Sequence, residues 1–224
     1  MATGELTSTI EQYLEAIFEL EEIDERVTQA RLARWFGVSP PATSEVVHRM
    51  ERMDLIGFDD ARTIVLKADG RTRAEEMARR HRYIERYLVD VLGVPWHLAD
   101  DETRRIEPGI SEVVEARMRA TLGDVDRCPH GNPIPGSPAA APVELTSLDQ
   151  CAVNSTVRID RIREDLELDL DMLRYLEEHR LLPGTALHVS DRDPDGAVTV
   201  ERDGSVVAVG AALASLVLCV PAES

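Results

Sequence analysis

The chain has 224 residues, 43% of them hydrophobic, and a formal net charge of −17. That length suits one large domain or two to three small ones. No apolar run approaches the roughly 20 residues that cross a membrane, and the opening MATGELTST has no basic segment followed by an apolar one, so neither a span nor a signal peptide is expected.

Residues 9–22 place Ile10, Tyr13, Leu14, Ile17 and Leu20 at helical spacing. Thr28 is suited to cap a short second helix over 29–36, with Leu32 and Phe36 inward. GVSPP (37–41) is a turn, and its prolines suit a helix entrance. A third helix is predicted over 42–56, with Val46, Val47, Met50 and Leu55 on its apolar side. Two short strands around a turn at Asp59–Arg62 follow within 57–71. This order is that of a winged helix–turn–helix, which lays its second helix in the major groove of DNA. A small helical domain that binds protein is the other reading of the same order.

From Arg71 to Gly123 the pattern is helical. One long helix includes HRYIERYL (81–88), and Pro108 is expected to bend or interrupt a second. Within the first, His81 and Glu85 stand four apart and share a helix face. An imidazole beside a carboxylate holds a divalent ion, and is equally an ordinary surface pair. A Pro-, Gly- and Ala-rich stretch then reads as a linker. The remainder reads as a small β barrel with one helix, 168–181, between its first two strands. The expected architecture is therefore mainly α with a small β domain. It divides into a DNA-binding domain (1–71), a helical metal-binding and dimerisation domain (72–136), a linker (137–151) and an SH3-like domain (152–224). The three scattered cysteines, Cys128, Cys151 and Cys219, suit reduced thiols in the cytoplasm.

Charge is distributed unevenly. Residues 1–71 carry 14 acids and 8 bases, 72–127 carry 12 and 10, and 128–224 carry 16 and 7. Lys67 is the only lysine among the 25 basic residues. A Lys-poor acidic chain resembles proteins that work in molar salt, where the Debye length is only about 3 Å and repulsion of nucleic acid is weak. An arginine-biased, GC-rich genome gives the same composition.

TIEQYLEAIFELEE, SPPATSEVVHRMER, HRYIERYL, CPHGNPIPG and the SH3-like C-terminal part together resemble the diphtheria-toxin-repressor family of metal-dependent transcriptional regulators, over essentially the whole chain. The resemblance implies a homodimer that binds Mn²⁺ or Fe²⁺, occupies a pseudo-palindromic operator and represses metal-uptake genes. It also implies no enzymatic activity, no small organic substrate and no membrane partner. No nucleophile-and-base constellation argues for an enzyme.

The resemblance assigns His81 and Glu85 to one metal site, completed by Asp100, with His97 as a substitute, and by Asp169, while Met172 replaces a polar ligand. Arg82, Cys128 and Asn132 match an anion pocket. Cys128 with His130 reads as a zinc half-site or as a folded loop with a hydrogen-bonded histidine. At the family's second site Glu15 and Glu107 are retained, but Gln12, Arg104 and Pro108 stand where ligands are expected. A guanidinium stays protonated and proline offers no side-chain donor. Arg104 is therefore expected either to replace the lost cation, pairing with Glu107 or Glu15, or to face solvent with Pro108. The departures also open the alternative of a DNA-binding regulator without metal control.

For DNA, Ser39, Thr43 and Ser44 are candidate donors to phosphate, with Arg49 and Arg52 as further phosphate contacts. Pro41 and Ala42 offer apolar contact to thymine methyls, and Glu45 can accept from cytosine. Arg62 is placed to reach the minor groove or its flanking phosphates.

Overall fold

The computed structural model of the chain describes residues 8–23, 25–141, 143–167 and 169–222, divided into two compact units, 1–81 and 82–224. The first contains α1 (Ser8–Glu22), α2 (Gln29–Phe36), α3 (Pro40–Arg52), β1 (Ile56–Phe58), β2 (Ile64–Leu66) and the start of α4 (Ala68–Asp90). Leu14, Ile17, Leu32, Val47, Met50, Ile56 and Ile64 close its core. Thr28 caps α2 by accepting from the Arg31 N–H at 3.1 Å, and Gly37 ends that helix in the left-handed conformation, φ 62°. Trp35, at the inward position beside Phe36, is the more buried of the two.

Helix α3 begins two residues before the predicted start. Pro40 and Pro41 occupy its first turn, where a missing N–H leaves nothing unsatisfied. It ends at Arg52 because Asp54 turns left-handed, φ 61°, and delivers Ile56 to β1. Asp59 closes the hairpin. Its carbonyl accepts from Arg62 N–H at 2.9 Å and its carboxylate from Thr63 N–H at 2.7 Å. The Thr63 N–H holds the Asp59 carboxyl below the usual range. The second strand stops at Leu66, and α4 starts at Ala68, earlier than predicted. Lys67 N–H is taken by the Leu55 carbonyl, and Asp69 favours a helix N-terminus.

In the second unit Pro108 interrupts the predicted helix, giving α5 (Ala99–Ile106), a 3₁₀ turn at 107–109 and α6 (Glu112–Leu122), which Ser111 caps. The remaining elements are β3 (Thr146–Ser147), β4 (Thr156–Ile162), α7 (Leu170–Glu178), β5 (Ala186–Arg192), β6 (Val198–Arg202), β7 (Ser205–Val209), the four-residue α8 (Ala211–Ala214) and β8 (Val217–Pro221). The strands pair antiparallel in the order β3-β8-β4-β5-β6-β7, with α7 between β4 and β5. Ile159, Ile162, Leu173, Leu187, Val200 and Val217 are among the side chains of its core. Leu148 and Cys151 are buried in that core as well, so the end of the expected linker packs with the sheet.

One irregularity matters for the site. Ile159 pairs with Cys219 and Arg161 with Leu218, so Asp160 is an extra residue in β4, a β-bulge. The CPHGN loop packs on this bulge. Its Gly131, φ 90°, lies so close that a Cβ there would sit 2.3 Å from the Asp160 carbonyl oxygen and 2.8 Å from the Arg161 Cα. The His130 carbonyl accepts from Ile162 N–H at 2.8 Å, and Arg127 pairs with Asp160 at 3.1 Å.

Candidate metal centre

Among the described residues, two groups of side chains are arranged to hold a metal ion, and Glu85 belongs to both. One is His81, Glu85 and Asp100, the other Glu85, Cys128 and His130, and within each the ligand atoms lie within 4.8 Å of one another. All five residues are buried, His130 fully and Asp100 with 3% exposure. His81 and Glu85 are one turn apart on α4, which runs unbroken past the boundary between the units, so the helix sets their spacing. Asp100 lies in the first turn of α5. The 3₁₀ turn leading into α5 is held by Glu177 of α7, whose carboxylate accepts from the N–H groups of Trp96 at 3.0 Å and His97 at 3.4 Å. Burial works against the Glu177 anion, but the His97 ring and these N–H groups prevail and keep its carboxyl below the usual range. His97 is thereby engaged with Glu177 and belongs to neither metal group.

His130 carries the geometry of a prepared ligand. Its Nε2 lies 3.2 Å from the Trp96 carbonyl oxygen, which can only accept, so Nε2 bears the proton. That leaves Nδ1 facing two carboxylates, Glu85 at 3.1 Å and Glu167 at 3.2 Å. A carbonyl fixing one ring nitrogen while the other turns to a ligand cluster is how metal-binding histidines are oriented. Trp96 supports this loop twice, packing edge-on against the His130 ring at 4.6 Å and donating its Nε1–H to the Pro129 carbonyl at 2.8 Å.

The electrostatics call for a cation. Glu167 is 2% exposed, and its Oε2 has no hydrogen-bond partner among the described residues. Burial, reinforced by the neighbouring Glu164 and Glu85 carboxylates, pushes its carboxyl well up. Burial pulls the His130 imidazole down, but Glu167, Cys128 and Glu85 outweigh it and hold the ring well above its ordinary value. Burial and Glu85 push the Cys128 thiol up to about 12. The surrounding carboxylates favour the protonated form of all three groups, and a divalent ion offsets the same crowding of negative charge. The donors, imidazole, carboxylate and one thiol, suit borderline first-row ions.

The other metal and anion candidates lie as follows. Arg82, 2% exposed, holds the chain's own Glu164 at 2.7 Å, and Asn132 donates to Glu167 and to the Ile162 carbonyl, both at 3.1 Å. Asp169 is exposed and caps α7 by accepting from Met172 N–H at 3.1 Å. Glu15 is buried, 3.9 Å from His81 Nδ1. Glu107 is half-buried in the 3₁₀ turn, Pro108 beside it and Gln12 of α1 are exposed. Arg104 reaches back one turn of α5, its Nε 2.8 and 2.9 Å from the two oxygens of Asp100. Sequence reasoning assigned no role to Glu167. Its two-residue offset from Asp169 in an acidic stretch, EDLELD, was the available signal.

Ser39, just before α3, and Pro41, Ala42, Glu45, Arg49 and Arg52 on it are exposed, and Ser44 is half-buried. Thr43 is fully buried, its hydroxyl 3.4 Å from that of Tyr13. Arg62 is exposed at the hairpin turn.

The sequence matches three family descriptions in chain order: "Iron dependent repressor, N-terminal DNA binding domain" over 5–63, "Iron dependent repressor, metal binding and dimerisation domain" over 67–136, and "FeoA domain" over 146–221. It is 35% identical to the diphtheria toxin repressor of Corynebacterium diphtheriae, covering 91% of this chain and 92% of that one. It is 34% identical to the iron-dependent repressor IdeR of Mycobacterium tuberculosis, covering 90% and 91%. Among solved structures it resembles a manganese-dependent transcriptional repressor in complex with manganese, with TM-score 0.83, 30% identity and 95% and 100% of the two chains covered. It also resembles T. acidophilum IdeR, with TM-score 0.77, 28% identity and 98% and 100% covered. A winged helix–turn–helix followed by a buried ligand cluster and an SH3-like sheet, matched along its length to these repressors, makes this chain a member of the diphtheria-toxin-repressor family of iron-dependent repressors.

Proposed function

We propose that the chain is a Mn²⁺- or Fe²⁺-dependent, DNA-binding transcriptional repressor that controls metal-uptake genes in the cytoplasm. It acts as a homodimer on a palindromic operator with half-sites one helical turn apart. The observation that carries this reading is Glu85, a buried carboxylate common to both ligand groups. Glu85, Cys128 and His130 form one ligand set, with Glu167 completing it. His81 and Asp100 join Glu85 in the other. A bound ion adds positive charge beside these carboxylates. Around it, Trp96 fixes the His130 tautomer, Arg82 neutralises Glu164, and Asn132 orients Glu167. Because the ligands come from α4, α5, the 128–132 loop and the turn after β4, ion binding draws these elements together. Ile106, Val113 and Val114, exposed on α5 and α6 within the segment matched to the dimerisation domain, supply apolar surface for a second copy. Ser39 at the start of α3 and Arg49 and Arg52 on it serve as phosphate contacts, and Pro41, Ala42 and Glu45 face the bases.

The test is fluorescence anisotropy with duplexes from promoters of metal-uptake genes, using wild type and Glu85→Gln, with Mn²⁺, anaerobic Fe²⁺ or chelator. Metal-dependent binding that fails in Glu85→Gln is the expected result. Equal affinity in chelator would show that metal does not control this chain.

A further inference from the structure

Two of the three cysteines belong to neither metal group. Cys219 lies in β8 opposite Thr146 of β3, and Cys151 follows the 3₁₀ turn that leaves β3. Both are core residues of the sheet domain, Cys151 with 5% and Cys219 with 1% exposure. The Cys151 thiol turns back toward β3 and donates to the Ser147 carbonyl at 3.4 Å, and Ser147 itself pairs with Leu218, the neighbour of Cys219. Both side chains therefore lie at the β3–β8 seam. A cavity of about 300 Å³ is lined by both sulfur-bearing residues together with Thr146, Gln150, Ser155 and Thr156. A single buried cysteine is simply a small hydrophobe. Here two thiols line one cavity that is large enough for several water-sized molecules.

The geometry points to Cys151 and Cys219 as an oxidation site, a thiol pair that closes to an intramolecular disulfide when a small peroxide enters the cavity. Arg192 donates to the Cys151 carbonyl and so sets a guanidinium beside Cys151, whereas Cys219 is the more deeply buried of the two. Cys151 is therefore the thiolate that attacks and Cys219 the one that resolves. The Cys151 thiolate attacks one peroxide oxygen and the O–O bond breaks, giving a sulfenic acid and a hydroxide that takes up the proton Cys151 released and leaves as water. The Cys219 sulfur then attacks the Cys151 sulfur, the S–O bond breaks, and a second water leaves with the Cys219 proton. Two thiols and one hydrogen peroxide give one disulfide and two waters. The bridge ties β8 to the end of the β3 segment and encloses every strand from β4 to β7.

The experiment treats the full-length protein with hydrogen peroxide, blocks remaining thiols with N-ethylmaleimide and maps peptides by mass spectrometry. The expected product is one monomeric cross-linked peptide pair containing Cys151 and Cys219, reversed by dithiothreitol, with Cys128 alkylated once the protein is unfolded. Cys219→Ser should stop at a Cys151 sulfenic acid that dimedone traps, whereas Cys151→Ser should give neither product. A cross-link to Cys128, a disulfide between chains, or full alkylation of all three cysteines in wild type would overturn the assignment.

Discussion

At the scale of single residues, Arg104 bears on the proposed metal centre through Asp100. A sequence-level argument pairs it with Glu107 or Glu15. A partner found here is Asp100, a member of one candidate ligand group, both of whose oxygens the Arg104 Nε contacts. A metal ion must then share Asp100 with a guanidinium and bind near a fixed positive charge. Both effects oppose binding. Arg104→Ala should tighten Mn²⁺ binding by roughly threefold to fivefold, as for an ion pair worth up to about 1 kcal/mol. Isothermal titration calorimetry reads this directly. Weaker binding would instead mean that Arg104 holds Asp100 in its ligating rotamer. The protons on the cluster give a second residue-scale prediction. His130, Cys128 and Glu167 are all shifted toward keeping a proton, and a bound ion takes the place of those protons. Metal affinity should therefore rise with pH, with roughly one to two protons released per ion near neutrality. Calorimetry in two buffers of different ionisation enthalpy measures the release, and a value near zero would refute the involvement of these three groups. The one-turn spacing of His81 and Glu85 was legible in the sequence. The position of Glu167 beside His130 was not, because Glu167 and Asp169 look interchangeable in EDLELD until the fold uses Asp169 to cap α7.

At the scale of elements, periodicity was most informative where helices bury one face against a single core. Ile10, Tyr13, Leu14, Ile17 and Leu20 of α1 are all buried, as their spacing predicts. Helix ends were less legible because they depend on distant partners, such as the Leu55 carbonyl that takes the Lys67 N–H before α4. The β4 bulge left no signal in TVRIDRI, yet it is where the 128–132 loop is seated and hence where His130 is aimed. This contact makes a prediction about Gly131. An alanine there must adopt φ 90° and also place its Cβ 2.3 Å from the Asp160 carbonyl oxygen. Backbone strain alone costs about 1–3 kcal/mol. Gly184, at the same φ but with nothing within 4 Å of a Cβ, isolates that contribution. Gly131→Ala should therefore destabilise the protein more than Gly184→Ala and also weaken Mn²⁺ binding, since the loop must lift from β4. Thermal melts and calorimetry on the two variants separate strain from the clash. Equal losses with metal binding intact would show that the loop adjusts freely.

At the scale of the whole molecule, an acidic chain is asked to bind a polyanion. The net charge is −17 per chain, and residues 128–224, outside the DNA-binding unit, carry 16 acids against 7 bases. Arg49, Arg52 and Arg62 are exposed on the α3 and hairpin surface. If each neutralises one phosphate in both copies of the proposed dimer, counterion release alone gives a slope of log K against log[salt] of about −5. The general negative field works in the opposite sense. Its repulsion of DNA is felt across a Debye length of about 10 Å at 0.1 M salt and is largely screened at 1 M, where that length is about 3 Å. Added salt thus weakens the local contacts while it relieves the long-range repulsion, and the observed slope should be shallower than −5. Neutralising exposed acids of the sheet domain, as in Asp193→Asn with Asp195→Asn and Glu201→Gln, removes repulsion without touching a DNA contact or a metal ligand. That variant should bind operator DNA more tightly at low salt, converge with wild type at high salt, and so show the steeper slope. Mn²⁺ affinity measured alongside should stay unchanged. Parallel salt dependences would mean that the acidic surface exerts no long-range effect on DNA binding, and that the arginines of α3 and the hairpin set the electrostatics of recognition alone.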